Sequence, residues 1–156
     1  MRPGLDTTEL ELFTETLLNT ANNQFPNETK AFLQKKGTEL NRSTKKIAKK
    51  RIKKNRISRQ EKYPHKKYIN GFKRGKVYKY YTDNSYAVRV YNSRPHAHLI
   101  EYGHVQLDHD RNPVKNGERF VRGYYVLRDA ASMFEPKFNE DVECFIDDML
   151  KKGLNL

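Results

Sequence analysis

Lys76-Val-Tyr-Lys-Tyr-Tyr81 and Tyr86-Ala-Val-Arg-Val-Tyr91, separated by Thr82-Asp-Asn-Ser85, decide the fold. Runs rich in Tyr and Val suit a pleated surface, so each predicts a strand. Asp83 and Asn84 tolerate positive φ, which makes residues 82–85 a tight hairpin turn. On the second strand Tyr86, Val88 and Val90 share one face, and Ala87, Arg89 and Tyr91 share the other. Residues 68–72 can add an edge or third strand.

Helical patterns flank the hairpin. Thr8 and Glu11 form a capping-box pair ahead of Leu10, Phe13, Leu17 and Ala21, which recur at helical spacing with Leu18 beside them. Asn22, Asn23 and Pro26 close that helix, and a second begins near Pro26 or Asn27, since proline suits a first turn. Leu33, Leu40 and Ile47 lie seven apart, with Gly37 and Thr44 on or near the same face, giving a thin apolar seam on a cationic helix. From residue 51 to 67 the periodicity fades and Pro64 forbids a continuing helix, so a frayed end and a mobile loop are expected at about residues 45–67. Pro95 opens a short helix through Ile100 that Gly103 ends. Residues 107–117 read as a loop by composition. The last segment, about residues 124–152, carries an apolar stripe of Tyr125, Leu127, Ala130, Ala131, Phe134, Phe138, Val142, Phe145, Ile146 and Met149. Pro136 predicts a kink or two helices there. Its polar face is acidic, with Glu135, Glu140, Asp141, Glu143, Asp147 and Asp148 against Lys137.

The 156 residues allow one domain, residues 1–156, with one core. An apolar fraction of 36% against a charged fraction of 32% leaves apolar surface to be covered by copies of the chain or by a partner. Cys144 stands alone, which excludes an intramolecular disulfide and fits a reducing compartment; its apolar neighbours predict a buried thiol. No apolar run approaches the roughly 18 to 20 residues that span a membrane, and no signal-peptide pattern opens the chain, so a soluble protein is expected.

Charge is concentrated. Residues 35–76 hold eighteen Lys or Arg against Glu39 and Glu61, a local excess larger than the net charge of +12. Such a belt fits a polyanion or an acidic protein surface. Lys45, Lys46, Lys49, Lys50, Arg51, Lys53, Lys54 and Arg56 are its candidate contacts with DNA or an acidic partner. The plainer alternative is a solvated helix. Tyr63, Tyr68, Phe72, Tyr78, Tyr80 and Tyr81 lie beside the belt and have faces on which bases stack, although strand tyrosines more often pack.

His96, His98, His104 and His109 lie within fourteen residues. On a strand His96 and His98 would share a metal, but on a helix they diverge by about 200° and do not. No cysteine lies nearby and Glu101 is the close acid, so capping or polar histidines are expected and no metal or other cofactor is assigned. The sequence holds no Gly-rich phosphate loop, nucleophile elbow or Cys/His pair, and Glu101 near His98 and His104 is a common surface spacing. A non-catalytic protein is expected.

The run Val90-Tyr-Asn, then His98-Leu-Ile-Glu-Tyr-Gly-His104, a loop, and Val121-Arg-Gly-Tyr-Tyr-Val-Leu-Arg-Asp-Ala-Ala131 resembles a known family. These are the small neck or tail-completion proteins of tailed bacteriophages with long non-contractile tails, often labelled minor tail components. His98, Leu99, Ile100, Glu101, Gly103 and His104 match the family's His-Leu-Leu-Glu-x-Gly-His-type motif, and the order of elements agrees over roughly residues 5–152. Gly123-Tyr-Tyr125 departs from the Arg-Pro-Phe-like segment that often follows in the family. In the motif Leu99 and Ile100 anchor the short helix to the sheet, Gly103 supplies a left-handed terminal residue, and Glu101 with the histidines locks the turn.

The fold expected is α+β, with a small antiparallel sheet and β-hairpin packed against a long N-terminal helix layer and a C-terminal helix. The resemblance implies a structural virion protein assembled in the host cytoplasm, a neck subunit forming a homo-oligomeric ring at the head–tail junction. Its implied partners are a head connector and a tail terminator or tail tube, with nonspecific contact with packaged DNA and no membrane. A basic nucleic-acid-binding protein is the rival reading, and a small toxin-type ribonuclease a third.

Overall fold

A computed structural model describes residues 12, 14, 15, 18, 22, 24–52, 65–83, 85–108, 110–113 and 120–154. The chain is α+β. A long helix α1 (Phe25–Arg51) is followed by a short α2 (His65–Asn70), a hairpin of β1 (Phe72–Lys79) and β2 (Tyr86–Asn92), and α3 (Ala97–Tyr102). A second ribbon, β3 (Gly103–Val105) with β4 (Phe120–Arg122), then leads into the C-terminal helix α4 (Val126–Leu154). Leu12, Thr14, Glu15 and Leu18 are helical, while Leu10, Phe13, Leu17 and Ala21 of the expected first stripe lie outside the described residues.

α1 opens with Pro26 in its first turn, where a missing N–H costs nothing. Leu33, Leu40 and Ile47 are only half-buried, and the buried positions are Lys36, Gly37, Thr44 and Ala48. Neighbouring helix positions point about 100° apart, and two layers use that divergence. Gly37 faces the hairpin, where a Cβ would meet the Val88 methyls at 3.0 and 3.1 Å. Lys36 faces α4, donating to Asp141 at 2.6 Å and to Glu39 at 3.3 Å. Phe32 stacks on Phe145 at 4.5 Å between ring centroids and meets Phe138 at 6.1 Å. The cationic and acidic helices therefore pair within one chain.

β1 and β2 are antiparallel, with Val77 opposite Val88, Tyr78 opposite Ala87 and a register shift between Arg74 and Val77. The core sits at one end of this arrangement. Ala48, Ile52, Tyr68, Ile69, Phe72 and Val126 are buried together, with Ile47, Ala97, Ile100, Tyr124 and Leu127 packed against them.

Several expectations are corrected. α1 runs to Arg51, where the helical periodicity fades, and its C-terminal cap, Ile52, is a core residue. Residues 53–64 lie outside the described residues. Residues 65–70 form a helix instead of loop or strand, because Tyr68 and Ile69 turn inward together, and β1 begins at Phe72. α4 is one helix running through Pro136 where two were an option. Cys144 is exposed, as are Ala131 and Ile146 of the expected stripe, since α4 packs on one side only and the opposite side faces solvent.

Candidate functional site

The His98–His104 motif closes on the start of α4. Glu101, the last but one residue of α3, is only 4% exposed. Its Oε1 accepts the Leu127 N–H at 2.9 Å and the Arg128 N–H at 3.1 Å, and Oε2 lies 3.1 Å from the Leu127 nitrogen. These N–H groups belong to the first turn of α4, which has no intrahelical partners for them. A carboxylate at a helix N-terminus also meets the positive end of the peptide dipoles. Glu101 is thus a remote N-terminal cap. No capping Ser, Thr, Asp or Asn precedes α4, where Tyr125 stands at φ 47 instead. The Tyr125 N–H donates to the Glu101 carbonyl at 3.0 Å, the Tyr124 N–H donates to the Ile100 carbonyl at 2.8 Å, and the Arg128 guanidinium lies 4.1 Å from the Tyr125 ring centroid.

Gly103 ends α3 at φ +87 and ψ 176, positive in φ as expected but extended rather than helical in ψ. A Cβ there would collide with the Val121 carbonyl oxygen, and one on Gly123 would collide with the Glu101 carbonyl oxygen. The two glycines let the backbone at residues 101–103 approach that at residues 121–123 closely, at the end of the antiparallel β3–β4 pair. Gly123, which departs from the family pattern, is therefore required by the same close approach that requires Gly103. Leu99 and Ile100 are half-buried, and Ile100 packs against the core.

His98 is exposed on α3, His96 precedes the helix, and His104 pairs across the ribbon with Val121. The hydrogen bonds shown to the Glu101 carboxylate come from backbone N–H groups of α4. Among the described residues no group of three or more His, Cys, Asp or Glu is placed to hold a metal ion. His109 lies outside them.

Beyond the lock the ribbon carries exposed apolar side chains. Val105, Leu107, Phe120 and Val121 are each at least 39% exposed, with Tyr102 beside them at 65%. Leu107 bridges to Pro113, and Asp108 Oδ1 accepts the Asp110 and Asn112 N–H groups at 2.9 Å each, so the turn that follows is held by its own side chain.

The belt residues are placed unequally. Lys46, Lys49 and Lys50 are exposed on the last turns of α1, and Lys45 is half-buried. Arg51 is committed inside the chain, donating to Asp129 at 2.5 Å and to the Tyr124 carbonyl at 3.0 Å. The Arg51 and Arg128 hydrogen bonds hold the Asp129 carboxyl below its ordinary range. Lys53, Lys54 and Arg56 lie outside the described residues. Of the tyrosines beside the belt, Tyr68 is in the core, where burial and then the Glu101 charge push its hydroxyl pKa upward. Tyr78, Tyr80 and Tyr91 lie on the uncovered face of the hairpin with Arg89, whose Nε donates to the Tyr78 hydroxyl at 3.0 Å. Residue order alone did not reveal this cluster, although the period-two pattern put Arg89 and Tyr91 on one face.

Among the described residues no helix is long and apolar enough to cross a membrane. Compared with known proteins, the chain matches no family model, no curated protein and no solved structure.

Proposed function

We propose that this chain is a structural virion subunit, a neck or tail-completion protein at the head–tail junction of a tailed phage, assembling as a ring between a head connector and a tail terminator or tail tube. The observation that carries the reading is a rigidly mounted apolar ribbon. Glu101, Gly103 and Gly123 fix the β3–β4 ribbon to the core, and Val105, Leu107, Phe120 and Val121 project from it uncovered. Contiguous exposed apolar side chains of this kind mark surfaces that a partner covers. The resemblance of residues 98–104 to the phage family supplies the context. Glu101 accepts the Leu127 and Arg128 N–H groups at the start of α4, which supports a structural role for the motif.

The exposed Lys46, Lys49 and Lys50 favour the rival reading, a nucleic-acid-binding protein, and in the neck reading they give weak contact with DNA passing through the ring. A nonsense mutation in the phage gene separates the two. The proposal expects DNA-filled heads and finished tails that remain unjoined, rescued by the chain supplied in trans. Joined, infectious particles made without the chain overturn it.

A further inference from the structure

We infer that two flanks of this molecule are made for each other, the uncovered face of the β1–β2 hairpin in one copy docking on the solvent face of α4 in the next. The inference rests on the ring-forming part of the proposed function and not on its virion setting.

The hairpin turns Val77, Val88 and Val90 toward α1 and leaves Lys73, Tyr78, Tyr80, Arg89 and Tyr91 on the other side. Neither strand contains an acid. Tyr78 and Tyr80 meet edge to face at 5.1 Å, their hydroxyls lie 3.1 Å apart, and the Arg89 guanidinium sits 5.5 Å from the Tyr78 ring centroid. The face is thus a cationic, aromatic platform ordered by its own contacts. Tyrosine and arginine in such a setting are the residues that anchor protein interfaces, because they offer large contact area with few torsions to freeze.

α4 presents the converse. Glu143, Ile146, Asp147 and Leu150 are spaced three and four apart and are exposed, so they share one stripe, with Glu140 at its edge. From Phe138 to Leu150 the helix has no Lys or Arg. Asp141 and Asp129 are neutralised within the chain by Lys36 and Arg51, but this stripe faces away from α1. Tyr80 and Tyr91, each more than 40% exposed, match Ile146 and Leu150, which are exposed to the same degree. Lys73 and Arg89 match Glu143 and Asp147. Charge and apolar surface therefore pair together, which a polyanion would not reproduce because it offers no aliphatic side chains.

The two faces cannot meet within one copy, since α1 lies against both the hairpin and α4 and presents Gly37 to one and Lys36 to the other. A contact between unlike faces propagates from copy to copy and closes into a ring when the rotation allows.

The test is reciprocal charge reversal in the full chain, followed by sedimentation velocity. One variant carries Lys73→Glu with Arg89→Glu, the other Glu143→Lys with Asp147→Lys. All four positions are exposed, and circular dichroism with melting temperature checks that each variant folds. The expected result is that the wild type self-associates, more weakly as salt rises, and that each variant alone loses at least about tenfold in association constant. An equimolar mixture should regain association, because reversed hairpins then face reversed helices. Three outcomes overturn the inference: a wild type monomeric at every concentration, variants that assemble like the wild type, or a mixture that stays apart. Loss of single-stranded nucleic-acid binding in the hairpin variant, with no reassociation on mixing, assigns the face to nucleic acid instead. The two readings fall separately: a failed mixing test removes this contact and leaves the unjoined heads and tails of the nonsense mutant as they were.

Discussion

Glu101 concentrates in one side chain the work of joining α3 to α4. Replacing it with Ala leaves the Leu127 and Arg128 N–H groups without an acceptor at a partly buried helix start. A buried polar group left unsatisfied costs about 1–3 kcal/mol, and removing the charge at the helix end adds up to about 1 kcal/mol. Glu101→Ala should therefore lower stability by about 1–4 kcal/mol in urea melts, and Glu101→Gln, which keeps an acceptor, by clearly less. Equal losses for the two variants would show that the capping geometry is not what Glu101 contributes. Gly103→Val should be at least as severe, since a β-branched residue opposes φ +87 and its Cβ meets the Val121 carbonyl. Here the sequence was half legible. A glycine closing a short helix is a local signal, readable from Gly103 alone. The role of Glu101 is not local, because its partners lie 26 and 27 residues away. The available clue was negative: α4 starts after Gly123-Tyr-Tyr125 with no capping side chain of its own. Cys144 misled for a related reason. Its neighbours Phe145 and Val142 are half-buried, but a helix packed on one side exposes every position opposite.

α1 is the element on which everything else rests, and its two working positions are adjacent. Gly37→Leu should separate the hairpin from α1, because even a Cβ would already touch Val88 at 3.0 Å and the Arg74 side chain at 3.1 Å. Overpacking of this kind costs about 1–3 kcal/mol, more than the roughly 1 kcal/mol a helix gains when glycine is replaced. A thermal melt showing Gly37→Leu as stable as the wild type would mean that the hairpin is not seated there. On the α4 side, burial pulls the Lys36 ammonium down in pKa and its hydrogen bonds to Asp141 and Glu39 more than offset this, so it is raised from 10.5. Asp141 is lowered from 3.8, chiefly by the Lys36 hydrogen bond. A lowered acid stabilises the fold above its unfolded value and loses that contribution as pH falls through its folded value. A raised base does so below its unfolded value and loses it as pH rises. The pair should thus be flat across neutral pH and fail below about pH 4 and above about pH 10. Tyr68, whose buried hydroxyl is pushed upward in pKa, steepens the alkaline limb from about pH 10. Lys36→Met should flatten both limbs in a series of melts across pH. Hairpin, long helix and C-terminal helix were readable because their periodicities are about 2 and 3.6 over many residues. The β3–β4 ribbon was not, since three residues per strand carry no period, and its pairing depends on two glycines that a linear reading cannot bring together.

For the molecule as a whole, the belt decides how it meets a polyanion, and the placement of its residues reduces the candidate contacts to a few. Arg51 is bound to Asp129 and the Tyr124 carbonyl, and Lys45 is half-buried, so Lys46, Lys49 and Lys50 are the described cations of the α1 end that face outward. All three lie near the negative end of the α1 dipole, where Lys→Glu would cost helix stability as well as phosphate contact. Lys→Gln at the three positions is therefore the cleaner change. If the belt lines a channel through which DNA moves, duplex binding by the wild type should be sequence-blind, micromolar or weaker at physiological salt, and steeply salt-dependent. Removing one phosphate contact lowers the slope of log K against log salt by about 0.9, so the triple variant should drop by about 2–3 in slope while melting like the wild type. Tight binding is not expected of such a ring, since it would hold the DNA that must pass. Nanomolar affinity with clear preference among sequences, reduced by the triple variant while phage particles still join normally, would instead make nucleic-acid recognition the function of the chain. An unchanged slope would move the contact away from the end of α1.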